Sequence, residues 1–237
     1  MKRICLCICV TLVAAACFVG SVSAQQYSVP PGTPEDVEAT YNTAIEKRTA
    51  AILALLDLTD TAKATRVHDI IMSQYRTLRA RDDAIDALLK LQGKEPNYAN
   101  RASLLESQSK TLHKQFLAKL SAELTPEQIE VVKDKMTYNK VQVTYTAYCS
   151  IIPNLTDADK AEIMEKLQAA REEAVEGGSA GEKSAIFQKY KDQINDYLNA
   201  HGHDVAKAYK DWEAKQQAAV SKSLSEPEDQ SPPSAKQ

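Results

Sequence analysis

His201-Gly202-His203-Asp204 is the one place where metal-ligand side chains cluster in this chain. Two imidazoles so close can share an ion, and Asp204 can add an oxygen. The same residues also read as a helix end, because Gly202 suits a C-cap and histidine suits the negative end of the helix dipole. The helix-end reading is preferred, and no metal or cofactor is expected. Paired carboxylates are the next candidate, since glycoside hydrolysis needs two acids roughly 5 to 9 Å apart in a cleft. Glu172 and Glu173 are adjacent and point in different directions on a helix. Asp82 and Asp86 can share a face, but nothing marks a cleft beside them. Cys149 has no histidine near it in sequence and reads as a small buried hydrophobe. His68 and His113 stand alone on helices and read as solvated. The chain has no GxSxG, no HExxH, no phosphate-binding loop and no dinucleotide fingerprint, so the reading leans away from an enzyme.

The tyrosines are the most suggestive set. Tyr138, Tyr145, Tyr148, Tyr190 and Tyr197 fall in one half of the chain, with Arg171, Lys189, Lys191 and Asn195 among them. A tyrosine offers an apolar ring and a polar tip, which suits a groove for sugars or peptides. Tyr190 and Tyr197 lie on an apolar helical stripe and read as core. The expected ligand-binding set is Tyr138, Tyr145, Tyr148, Arg171, Lys189, Lys191 and Asn195, with Tyr138 and Tyr145 on a connector.

Helices must place these groups. Thr125-Pro126-Glu127-Gln128 reads as a helix start: a capping hydroxyl, proline at the first position and glutamine three residues after the cap. The helix then runs to Met136. Thr156-Asp157 opens another helix, to Glu176, with Ile163, Leu167, Ala170 and Ala174 as its stripe and Gly177-Gly178 as its stop. Ser179 caps the next, from Ala180 to Ala200, with Phe187, Tyr190, Ile194, Tyr197 and Leu198 inside. Earlier in the chain, Thr33-Pro34-Glu35-Asp36 starts a helix with acid at its positive end and Val37, Tyr41, Ile45, Ile52, Leu55 and Leu56 on its inner face. Leu58-Thr59-Asp60 starts a helix to Leu91, roughly 48 Å at 1.5 Å per residue, with Val67, Ile71, Leu78, Ile85 and Leu89 facing in. Asn97 or Asn100 caps its partner, which turns Leu105, Leu112, Phe116 and Leu120 inward and completes a long antiparallel hairpin. Lys140 to Val143 alternates with β-branched residues and reads as an extended connector, followed by helix from Thr144 to Ile152. A last helix covers Asp204 to about Ser221. The expectation is an all-α chain: a single helical-bundle domain of about six or seven helices over residues 33–222.

The ends differ in character. Met1 to Ala24 reads as a secretory signal, with Lys2 and Arg3 ahead of an apolar run and Val22-Ser23-Ala24 as the cleavage site. Export would leave the chain secreted or periplasmic. A lipoprotein signal at Cys17 is the less favoured alternative, because Ala14 stands where such signals carry leucine. Residues 25–32 form a short leader and 223–237 a polar, Pro-containing tail expected to be disordered. No transmembrane segment is expected in the mature chain, and Cys149 alone remains in it, so no internal disulfide can form. The formal net charge is −3 and no basic stripe exists, which argues against nucleic acid. Gly is scarce, at 7 residues, against a strand-and-turn fold.

MTYNKVQVTYTAYCSIIPNLT, AREEAVEGGS and KYKDQINDYL together resemble a secreted bacterial family catalogued as domain of unknown function 3826, over about Thr33 to Asp204. The resemblance implies no established reaction. It implies an envelope role among carbohydrate-degrading enzymes, with an oligosaccharide or an envelope protein as partner. The leading expectation is a secreted, non-catalytic helical binding or accessory protein linked to polysaccharide utilisation. One alternative is a periplasmic helical chaperone, since Leu124-Thr125-Pro126-Glu127-Gln128 is similar to the LTxxQ motif of the Spy and CpxP family. The other is a glycan-active enzyme whose carboxylates meet only in the fold.

Overall fold

A computed structural model describes residues 33–225. The expected signal, the leader and the tail beyond Ser225 lie outside the described residues. The described residues form eight helices: α1 (Pro34–Leu53), α2 (Thr61–Leu91), α3 (Tyr98–Ser121), α4 (Pro126–Met136), α5 (Lys140–Ile151), α6 (Asp157–Ala174), α7 (Ala180–Ala200) and α8 (Val205–Ser225). The starts follow the capping chemistry of the sequence. Thr33, Thr125 and Thr156 each close a capping box, with Asp36, Gln128 and Asp159 respectively. Asp60, Asn97 and Ser179 cap α2, α3 and α7. Each cap satisfies backbone N–H groups that the helix itself leaves free.

Cross-links between helices give the topology. Between α2 and α3, Arg81 pairs with Ser109 and Arg101 with Asp86, and Arg66 of α2 pairs with Glu123 just beyond the end of α3. Numbers rise on one helix as they fall on the other, so the two run antiparallel. On α1 and α2, Glu46 meets His68, Asn42 meets Arg76 and Glu38 meets Arg79, again antiparallel. α4 packs against α1, α3 and α6, while α6 and α7 form the most extensively packed pair.

Three apolar clusters fill the bundle among the described residues, the smallest being Ile85 and Leu89 of α2 with Leu105 of α3. The first joins α1 to α4 through Ile45, Ile71, Phe116, Leu120 and Val132, and Val175 reaches into it from just beyond α6. The second joins α5 to α8 through Tyr148, Ile163, Leu167, Phe187, Ile194 and Leu198. The inward stripes expected on α2, α4 and α6 are buried.

Four local expectations are corrected. The Lys140–Val143 connector is the first turn of α5. Tyr138 and Asn139, at φ 60° and 53°, make the break in two left-handed residues, and the Asn139 N–H donates to the Asp134 carbonyl at 2.7 Å. The chain can then re-enter a helix at once, and Val141 is buried in the second cluster, which overrides β-branched propensity. Leu55 is 47% exposed, because α1 stops at Leu53 and only Leu56 turns inward from the following turn. Cys149 is exposed, since α5 turns Tyr148 rather than its neighbour into the core. His113 is half-buried and paired rather than solvated.

Leu167 is fully buried in the second cluster, so Leu167→Ala should cost about 2–5 kcal/mol. Leu55→Ala should cost no more than about 1 kcal/mol. Urea denaturation of both variants checks this, and equal losses would overturn the placement of the core.

Candidate functional site

The turn between α6 and α7 gathers charged side chains that the apolar clusters exclude. α6 ends at Ala174, and its last carbonyls need donors. Lys183 supplies one ammonium to two of them, donating from Nζ to the carbonyls of Ala174 at 2.9 Å and Val175 at 3.3 Å. Lys183 is 3% exposed. Burial pulls its pKa down to about 8, against the opposing pull of Glu176 and Glu182. The hairpin closes this tightly because Gly177 and Gly178 carry no side chains. A β-carbon on Gly177 would stand 2.9 Å from Cγ of Lys183, and one on Gly178 would stand 1.7 Å from Oδ2 of Asp82. The Gly178 N–H donates to Glu182 Oε2 at 2.8 Å.

α2 and α3 complete the group. Arg81 is buried and donates from Nε and Nη2 to Asp82 Oδ1, at 2.9 and 2.6 Å, and from Nη1 to the Ser109 hydroxyl at 3.3 Å. Burial raises the Asp82 carboxyl, and the negative charge of Glu182 raises it further. His113 lies between two acids: Nε2 is 3.4 Å from Glu172 and Nδ1 3.3 Å from Glu176. An imidazole whose two nitrogens both face carboxylates satisfies both only when protonated. Its bonds to Glu172 and Glu176 lift its pKa to about 9. Glu176 accepts a second hydrogen bond, from Gln74 Nε2 at 2.9 Å. Burial alone would raise Glu172, but His113, Lys133 and Arg171 outweigh it and hold that acid at about 2.

Between α3 and the α6–α7 pair lies an open cleft of about 790 Å³. Leu105, Ala169 and Ile186 give it an apolar wall, and Glu173, Glu182, Lys189 and Tyr190 stand among its polar lining. Glu173 is held by Lys189, at 2.6 Å, and by the Tyr190 hydroxyl, which donates at 3.0 Å. Glu182 is 4% exposed, and its Oε1 is buried without a hydrogen-bond donor among the described residues.

The expected ligand-binding residues are dispersed. Only Lys189 lines this cleft. Tyr148 is 1% exposed; its hydroxyl donates to Asn195 Oδ1 at 2.7 Å and lies 3.2 Å from the Lys191 carbonyl, so Tyr148 and Asn195 join α5 to α7 as core. Arg171 is buried and spent on α4, where it pairs with Glu130 and, at 2.6 Å, with Asp134. Burial lowers the Lys191 ammonium. Tyr138 is exposed at the end of α4, while Tyr145 is half-buried on α5 beside Cys149, whose hydrogen bond raises its phenol. A smaller cavity of about 400 Å³ lies by Cys149 and Trp212.

The histidine cluster is likewise divided. His201 stacks on Tyr197 with centroids 4.0 Å apart and meets its carbonyl at 2.8 Å. His203 Nε2 is 3.1 Å from Asp159, and Asp204 accepts from the Lys207 N–H in the first turn of α8. The three side chains therefore serve three separate contacts, and no group of three or more His, Cys, Asp or Glu among the described residues is placed to hold a metal ion. The cleft residues His113, Glu176 and Glu182 were not legible as a site. The one sequence signal near them was the Gly177-Gly178 pair.

Two outcomes follow from this geometry. Gly178→Ala should destabilise by about 2 kcal/mol in chemical denaturation, and less in an Asp82→Ala background, where the obstructing carboxylate is gone. Additive losses would refute the clash. His113 binds its proton more tightly folded than unfolded, so its stabilisation is complete below about pH 6.5 and disappears as pH rises through about 9. Wild type should therefore lose on the order of 2 kcal/mol relative to His113→Gln across that window, the full linkage being discounted because the ring is only half-buried. Parallel pH–stability curves would refute the imidazolium.

Comparison with curated proteins gave no match. The matching family model spans residues 42–218, from within α1 into α8, and includes the whole α6–α7 turn with its glycine pair. The chain belongs to DUF3826, a family described as protein of unknown function.

Proposed function

We propose that this chain is an exported, non-catalytic helical binding or accessory protein whose α3/α6/α7 cleft holds part of an oligosaccharide, in a role tied to polysaccharide utilisation. The observation that carries the reading is the cleft itself. It is about 790 Å³, with an apolar wall at Leu105 and Ile186 and carboxylates and Tyr190 at its edges. Sugars present apolar faces and hydroxyl edges, which such a mixture suits. The charged start, apolar run and small-residue end of residues 1–24 support export.

The state of Glu172 counts against its serving as the proton donor of a glycoside hydrolase. Inverting or retaining chemistry needs one acid protonated near neutral pH. Glu172 is held at about 2 by three cations, so it is ionised and cannot be that acid. The chaperone alternative would need a continuous exposed apolar face. The large exposed apolar side chains, Leu55, Leu88, Leu91, Tyr138 and Val143, are divided among the ends of α1 and α2 and the α4–α5 region.

Thermal shift against a panel of plant and host oligosaccharides tests the reading, because a ligand that binds only the folded state raises the melting temperature. Ala169→Trp should block the cleft and abolish the shift, while Tyr145→Ala should leave it unchanged. The reverse result would move the site to α5. No shift across the panel would count against saccharide binding.

A further inference from the structure

The charged side chains around the cleft floor are already committed to partners, with one exception. Lys189 is bonded to Glu173, and His113 bridges Glu172 and Glu176. Arg81 gives two bonds to Asp82, and Lys183 gives its ammonium to the carbonyls of Ala174 and Val175. Glu182 is the exception. Its Oε2 takes a backbone N–H, the Arg81 guanidinium is 4.0 Å from it, and its Oε1 is buried with no donor among the described residues. A buried carboxylate oxygen without a donor is costly, and a charged donor relieves that cost best. Beside it, burial and then the negative charge of Glu182 raise the carboxyl of Asp82.

We infer that the ligand of this cleft presents a protonated primary amine, which seats on Glu182. The inference rests on the cleft being the binding site proposed above. Two sources supply that chemistry within one cleft: an amino sugar whose nitrogen carries no acetyl group, and a free alkylamine. The apolar wall at Leu105 and Ile186 accommodates the body of either. An N-acetylated or neutral sugar has no cation to offer Glu182.

Isothermal titration of the full chain at physiological salt tests this with four probes: a glucosamine tetramer, its N-acetylated form, a glucose tetramer and spermidine. The glucosamine tetramer should bind at least tenfold more tightly than its N-acetylated form. Glu182→Gln keeps the shape and an acceptor for Gly178, and should erase that preference. Ala169→Trp leaves Glu182 in place and should abolish binding of the amine, which keeps the test sound if Glu182→Gln folds poorly. Spermidine binding that depends on Glu182, without sugar binding, would support the amine and name the alkylamine as its source while removing the saccharide reading. Neutral sugars binding as well as the glucosamine tetramer would overturn the inference and leave the cleft reading standing. A preference that persists in Glu182→Gln would overturn the assignment to Glu182. No binding by any probe would overturn both.

Discussion

The bundle depends on how charge is buried at the α6–α7 turn. Lys183, Glu182, Glu176 and Arg81 are all buried, at the seam between the first and second apolar clusters. Desolvating four such groups is expensive, and only dense pairing offsets it. The pairing here is dense because each helix contributes a complementary part. α6 leaves carbonyls that need donors, and Lys183 supplies them. α2 supplies Arg81 and Gln74, and α3 supplies His113. Removing any one partner leaves another buried group uncompensated, so the network specifies one docking of α2 and α3 on the α6–α7 hairpin.

The glycine pair follows from that constraint. A helix can stop at any residue able to take the required backbone angles, and one glycine normally serves. Two are needed here for a different reason, because neighbours fill the space of both side chains. Lys183 occupies one and Asp82 the other. Neither glycine has a left-handed φ, so close approach, rather than backbone freedom, explains both. α2 is thereby held against the turn, and the cleft lies between α3 and the α6–α7 pair.

Local chemistry was legible and remote partnership was not. Thr33, Thr125, Thr156 and Ser179 announce helix starts because a cap and its backbone donors lie within three residues. The stripe Ile163, Leu167, Ala170 and Ala174 announces a buried face because its period is that of a helix. α5 was misread at its start because its β-branched run is overruled by burial of Val141 against residues far along the chain. The surroundings of the expected site residues were hidden for the same reason. Arg171 looked available to a ligand, but its acids lie on α4, 37 and 41 residues away. His113 looked solvated, but Glu176 lies 63 residues away. No pattern in a single sequence marks pairs at such separations.

The same remote pairings determine what the cleft can recognise. Arg171 and Lys133 are drawn toward α4 and Glu172, and Lys189 is held by Glu173, so these cations are not free for an incoming anion. Phosphate or carboxylate ligands would have to displace intramolecular partners that are already well placed. Donors face no such competition at Glu182, where one oxygen lacks a partner among the described residues. The folding network thus uses its positive charge internally and leaves an acceptor beside an apolar wall. Selectivity for donors over acceptors is then a consequence of how the seam is assembled, and needs no residue set aside for binding alone.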